Sequence, residues 1–219
     1  MTTLTAAPVA PLLDRLFAEA AGAAPMNSPA FASVSSEERY RLMRSKTAYR
    51  ELYGSLKAYA LPVSRDTGRL LYMLARAIGA RSIVEFGTSF GLSTLHLASA
   101  LRDIGGGRLI TCEFEPSKVV RARENLSAGG LVDLVEFREG DALETLASDL
   151  PETIDLLLLD GAKALYADVL DLVEHRLRVG AVIVADNADY CPEYLERVSA
   201  DDYFSMGFTD DVELTIRLR

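Results

Sequence analysis

Asp160 and Asp186 each end a nearly pure aliphatic run, Ile154 to Leu159 (broken only by Asp155) and Ala181 to Ala185, and Asn187 follows the second. Two carboxylates and an amide oxygen are hard donors of the kind that hold a divalent cation such as Mg²⁺. Lys163, three residues beyond Asp160, would place an amine or ammonium beside that cation. Runs this apolar read as strands buried on both faces of a parallel sheet. The carboxyl ends of such strands open onto the ligand crevice, so Asp160, Lys163, Asp186 and Asn187 are expected to converge there. The pattern is that of an enzyme.

The elements that would position them follow a regular alternation. Strands are expected at Ser82 to Phe86, Leu109 to Glu113, Val132 to Phe137, up to Asp160, and up to Asp186. Helices fall between and around them at Leu92 to Leu101, Ser117 to Ala128, Ala142 to Leu150 and Leu165 to Leu177. Strand alternating with helix means an α/β fold, a Rossmann-like, doubly wound, mostly parallel sheet. The end departs from this: a helix at Pro192 to Val198, then strands Tyr203 to Phe208 and Val212 to Leu218 joined by Thr209-Asp210-Asp211, a C-terminal antiparallel hairpin. Residues 1 to 60 are read as an N-terminal arm and helical extension, and residues 61 to 219 as the main domain. The arm is rich in Ala and Pro and is expected to be loosely held, with one short helix at Leu12 to Ala21. Ser35 is an N-cap candidate for a helical region reaching about Tyr59, and Asp66 to Ile78 forms the helix that leads into the core.

The 219 residues suffice for one sizeable core. Asp and Glu total 32 against 23 Lys and Arg, a net charge of -9 with no basic run, which argues against nucleic acid and anionic membranes as partners. No stretch reaches the roughly 20 apolar residues of a membrane span, and the first residues lack a secretory signal's features, so the expected location is cytoplasmic. Cys112 and Cys191 read as ordinary free thiols. His96 and His175 lie in helical segments with no nucleophile arranged beside them and read as structural. Lys118, Arg121 and Arg123 read as a solvated helix face.

The first strand runs into Glu85-Phe86-Gly87-Thr88-Ser89-Phe90-Gly91, a turn with glycines four apart. Glycine lets backbone pass close to a ligand, while the tighter dinucleotide pattern G-x-G-x-x-G is absent, which weakens a nicotinamide reading. Glu113, ending the second strand, could accept from both hydroxyls of a ribose, and Asp141-Ala142, after the third, could lie beside an adenine. Ser93 and Thr94 either touch the carboxylate of an amino-acid moiety or cap the following helix.

Glycine turn, ribose acid and adenine acid in this order resemble the class I S-adenosylmethionine-dependent methyltransferases. Within that class, Leu159-Asp160-Gly161-Ala162-Lys163 with Tyr166 and Asp186-Asn187 resembles the cation-dependent O-methyltransferases that include catechol and caffeoyl-coenzyme A O-methyltransferases. The resemblance spans about residues 61 to 219, through Pro62-Val63-Ser64 and Gly68 as well. It implies S-adenosylmethionine held by Glu85, Gly87, Ser93, Glu113, Asp141, Ala142 and Asp160. It further implies Mg²⁺ or a similar cation on Asp160, Asp186 and Asn187, Lys163 as general base, a hydroxylated small-molecule acceptor and a homodimer. Asp211-Val212-Glu213 stands where catechol-type members have D-G-L-E, so Glu213 could accept from the second hydroxyl of the acceptor. Only four residues separate Asn187 from Pro192, a short cap that leaves Tyr190 as a wall, with Phe90 and Tyr166 as other aromatic candidates. The alternatives are transfer to a sugar hydroxyl, an amine or a carboxylate, and a noncatalytic nucleoside-binding scaffold.

Overall fold

The computed structural model describes residues 2–23, 25, 28, 31, 34–209 and 211–219. One seven-stranded sheet runs in the order β3-β2-β1-β4-β5-β7-β6. Its parallel strands are β1 (Ser82–Phe86), β2 (Arg108–Glu113), β3 (Val135–Glu139), β4 (Ile154–Leu159) and β5 (Leu177–Asp186). The strands β6 (Tyr203–Phe208) and β7 (Val212–Arg217) form the expected antiparallel hairpin, with β7 antiparallel to β5; Asp210 at its turn lies outside the described residues.

Alternate residues of each central strand enter two separate cores, as the two-residue strand period requires. Ile83, Leu109, Leu156, Leu158 and Val184 face α1 (Val9–Gly22), α4 (Arg65–Ala77), α5 (Leu92–Asp103) and Leu126 of α6 (Pro116–Ala128). Val84, Ile110, Leu157, Leu159 and Ile183 face α7 (Ala142–Thr145), α8 (Tyr166–Val173) and α9 (Pro192–Val198). A smaller cluster of Phe31, Leu52 and Leu56 joins α2 (Ser36–Met43) to α3 (Tyr49–Ser55).

Several expectations are revised. The first helix is docked rather than loose, because Val9, Leu12, Leu13 and Leu16 form one apolar stripe buried in the main core. Nearby, Asp103 accepts from Thr3 N, Thr3 Oγ1 and Tyr72 Oη. The helical region after the Ser35 N-cap divides in two, since Ser45 Oγ accepts from Thr47 N and Ala48 N and holds a turn between the two helices. The helix after Asp141 is a single turn. Arg138 explains its end, with Nη1 donating to the carbonyls of Thr145 and Ser148 and Nη2 to that of Asp149. Leu177 belongs to β5 rather than to the helix before it, and residues 132–134 form a 3-10 turn before β3. His96 is structural: its ring lies over Gly68, where a Cβ would meet it at 2.7 Å, and Nδ1 pairs with the Leu92 carbonyl at 2.8 Å.

Candidate active site

The glycine turn after β1 is shaped by backbone rather than by side chains. Gly87 has φ +100°, and a Cβ there would lie 2.3 Å from the Asp160 carbonyl oxygen. Asp160 N in turn donates to the Phe86 carbonyl at 2.8 Å, so the ends of β1 and β4 are locked side by side. Gly91, φ +84°, lets α5 start against Leu126. Ser89 N donates to Glu113 Oε2 at 2.9 Å and Glu115 N to Glu113 Oε1 at 3.1 Å, fixing the carboxylate that ends β2. Burial pushes the Glu113 carboxyl up against the opposing charge of Lys118 and these amides.

A cavity beneath the turn is lined by Gly87, Glu113, Asp141, Ala142 and Asp160, with Lys118 and with Tyr49 and Tyr53 of α3 as its roof. Asp141 caps α7 through Leu143 N and accepts from Tyr49 Oη and, at 2.5 Å, from Arg50 Nη2. Burial raises its carboxyl, but these hydrogen bonds outweigh it and hold the group below its ordinary value. An adenine amino group would therefore share Asp141 with α3. Cys112 also lines the cavity, but burial pushes its thiol up to about 12, which makes it a poor nucleophile.

Glu85 and Ser93 lie elsewhere. Glu85 is fully buried under the turn, where Ser93 Oγ, Thr94 Oγ1 and Thr111 Oγ1 each donate to it at 2.6 Å, and neither Glu85 nor Ser93 lines the cavity. Burial raises the Glu85 carboxyl to about 7 despite the three hydroxyls. Because the folded state holds the proton more tightly than the ordinary value of 4.5 allows, this stabilisation is full below 4.5 and is lost as pH rises through 7. His96 runs the other way. Burial lowers it from 6.5 to about 4, so stability is full above 6.5 and is lost as pH falls toward 4. The two slopes oppose each other in the shared window. Glu85→Gln removes one of them, so the variant is expected to lose on the order of 3 kcal/mol relative to wild type between pH 8 and pH 4.5. Urea denaturation at both pH values checks this; parallel profiles for the two proteins would contradict it.

The second acid cluster forms as expected from the ends of β4 and β5. Lys163 Nζ is 2.8 Å from Asp160 Oδ1 and 3.5 Å from Asp186 Oδ2, and all three side chains are largely buried. Asn187 takes a left-handed conformation, φ 52°, that its residue type tolerates, and donates from Nδ2 to Asp211 Oδ2 at 3.2 Å. Burial pushes Asp160 up to about 8, with Asp186 adding to the shift and Lys163 opposing it. Burial lowers Lys163, but Asp160, Tyr166 and Asp186 outweigh it and keep it an ammonium. Tyr166 is wholly buried, donates to the Asp186 carbonyl at 2.7 Å and packs edge-on against Phe86 and Tyr194.

Asp160, Lys163, Asp186 and Asn187 line a second cavity with Phe31, Met43, Leu56 and Pro62, and Tyr53, Leu61, Asp160 and Gly161 border both cavities. Among the described residues no three His, Cys, Asp or Glu side chains converge as a metal centre. The donors at this point are two carboxylates and one amide, all oxygen and therefore hard, a set that fits Mg²⁺ with its remaining positions left to water or ligand. Tyr190 lines neither cavity and stacks on Tyr40 with ring centroids 5.3 Å apart. Glu213 also lies off both walls and accepts from Ser205 Oγ on β6. Phe90 packs on the core, with Arg121 over its ring. Sequence reasoning missed Asp211 beside Asn187, and it misread Lys118, which is 3% exposed rather than solvated. Lys118 falls on the stripe Lys118, Val119, Ala122, Asn125, Leu126, whose helical spacing marks the buried face of α6.

A family model described as a methyltransferase domain matches residues 84–188. A catechol O-methyltransferase of Niastella koreensis is 35% identical over 131 residues, 58% of this chain and 58% of its own length. One of Mycobacterium tuberculosis is 39% identical over 128 residues, 58% of this chain and 57% of its own. The chain thus spans somewhat under three-fifths of these curated relatives. The O-methyltransferase TomG of Streptomyces achromogenes, solved in complex with S-adenosylmethionine, superposes with a TM-score of 0.64 at 27% identity, covering 85% of this chain and 92% of that one. The matched segment contains the glycine turn, Glu113, Asp160, Lys163 and the Asp186-Asn187 pair, and over it the chain is similar to a methyltransferase domain and to catechol O-methyltransferases.

Proposed function

We propose that this chain transfers the methyl of S-adenosylmethionine to a hydroxyl of a catechol-like small molecule. Glu113, Asp141 and Ala142 would hold the cofactor, Asp160, Asp186 and Asn187 would hold Mg²⁺, and Lys163 would act as general base. The observation that carries the reading is the shared border of the two cavities: the glycine-turn cavity and the acid-lysine cavity meet at Asp160, Gly161, Tyr53 and Leu61. Two reactants held on either side of such a border are brought together in a fixed orientation, which is the main source of rate in a displacement between bound groups.

When bound, S-adenosylmethionine supplies a methyl on a sulfonium, and a divalent cation lowers the pKa of an adjacent hydroxyl. The protein's own contributions are positional. Asp160 and Asp186 keep Lys163 an ammonium at 2.8 and 3.5 Å; a cation held by the same carboxylates would disfavour that charge, so that Nζ, once neutral, could accept the hydroxyl proton. Phe31, Met43, Leu56 and Pro62 keep water from the reacting oxygen and fit an aromatic body. A carboxylate acceptor would face Asp160 and Asp186, which disfavours it. Residues 61–219 supply the chemistry, and residues before 61 supply the roof through Phe31, Met43, Tyr49, Tyr53 and Leu56.

The test is mass-spectrometric methyl transfer to a panel of a catechol, a monophenol, a sugar, an amine and a carboxylic acid. Methylation confined to the catechol is expected; transfer to the amine or acid alone would overturn the acceptor assignment.

We further propose a cytoplasmic homodimer. No described helix is long and apolar enough to cross a membrane. Phe204, Met206 and Ile216 are exposed on the hairpin, and Ile216 pairs with Val182, which places this apolar patch on the α4–α5 face of the sheet beyond its last helix. Light scattering is expected to give twice the single-chain mass for the wild type and the single-chain mass for Phe204→Asp/Met206→Asp. A double variant that stays dimeric would place the interface elsewhere.

A further inference from the structure

Lys118 lines the cofactor cavity beside Glu113 and Ser89 with only 3% of its surface exposed. Among the described residues its ammonium makes no hydrogen bond or ion pair; it feels Glu113, Glu115 and Asp160 only through space. It is also the third residue of α6, at the positive end of that helix. Lysine is almost never buried unless paired, and an unpaired buried charge is costly. The partner that offsets this cost must arrive with the ligand.

The chemistry of that partner follows from what stands next to Lys118. Glu113 is acceptor-only and each of its oxygens already takes one backbone amide, whereas an ammonium is donor-only. A group that satisfies both must donate and accept, which a hydroxyl does. A protonated amine has no acceptor for Lys118, and a ligand carboxylate would be repelled by Glu113. We infer that Lys118 is a cofactor-binding residue that, together with Glu113, holds the ribose hydroxyls of the nucleoside: Glu113 accepts the hydroxyl hydrogens and Lys118 donates to a hydroxyl oxygen. This assignment rests on the nucleoside-cofactor reading above.

Displacement of labelled S-adenosylhomocysteine from the full chain tests it, with adenosine and 2′,3′-dideoxyadenosine as competitors. Lys118→Met keeps the aliphatic stem and removes the donor; Lys118→Arg keeps the donor. Lys118→Met is expected to weaken S-adenosylhomocysteine and adenosine by about tenfold or more, the scale of a hydrogen bond to a charged group. The same variant should leave dideoxyadenosine within about twofold of its wild-type affinity, and Lys118→Arg should recover most of the loss. Equal weakening of both nucleosides would mean Lys118 only packs. Weakened S-adenosylhomocysteine with unchanged adenosine would move the contact to the amino-acid moiety. Either result, or unchanged affinity throughout, overturns the assignment. Failure of the wild type to bind S-adenosylhomocysteine would instead overturn the cofactor reading itself.

Discussion

Lys163→Met is expected to reduce kcat by about 10²- to 10⁴-fold, the range of a lost general base, while the affinity for S-adenosylhomocysteine changes by less than about threefold. The separation follows from the two cavities. Lys163 borders the one lined by Phe31, Met43 and Leu56, whereas Glu113, Asp141 and Ala142 border the other. Methionine keeps the buried volume, and burial already raises Asp160 to about 8, so the carboxyl left behind can take up a proton rather than remain an unpaired charge. The protein should therefore fold. Single-turnover kinetics with calorimetric cofactor binding separates the two effects; unchanged turnover would remove Lys163 from the mechanism.

Gly87→Ala is expected to have the largest effect on the fold. Two independent penalties act at this residue. Its φ of +100° is a region that side chains avoid, and the added Cβ would lie 2.3 Å from the Asp160 carbonyl oxygen and 2.7 Å from the Gly161 Cα. Both clashing groups are backbone, so no rotamer change relieves them. Relief requires β1 and β4 to separate at the point where Asp160 N bonds the Phe86 carbonyl. A loss of at least about 3 kcal/mol is expected from strain and overpacking together. Gly79→Ala isolates the first penalty, since Gly79 has φ +63° with nothing within 4 Å of its Cβ position, and should cost only about 1 kcal/mol. Urea denaturation of both variants measures the difference, and equal losses would show that the Asp160 contact is not rigid. Any folded Gly87→Ala protein should bind cofactor poorly, because Asp160 borders both cavities.

What was readable in the sequence was whatever depends on local pattern. Aliphatic runs ending in Asp160 and Asp186 locate the crevice because strand burial and strand ends are both local. The Ser35 cap is local too, and its side chain accepts the backbone amide of Glu38. The cage around Glu85 was not readable, since Thr111 reaches it only through the β1–β2 register that pairs those two residues. For the same reason the sequence leaves Ser93 between a ligand contact and a helix cap, and only the fold shows its hydroxyl donating to Glu85. Arg138 ending α7 was hidden because it acts from β3, outside the helix it caps. Lys118 was misread for a different reason. A basic residue on a helix is usually solvated, and only its place on an otherwise buried stripe, next to the end of β2, marks it as belonging to the cavity.

The most direct test of the central claim is methyl transfer from labelled S-adenosylmethionine to a catechol by the wild-type chain, measured with Mg²⁺, after EDTA, and after Mg²⁺ is restored in excess. Transfer lost on chelation and recovered with Mg²⁺ is the expected result, with Asp186→Ala inactive under all three conditions. Transfer undiminished by EDTA, or an active Asp186→Ala, would contradict the assignment of Asp160, Asp186 and Asn187 as the cation site.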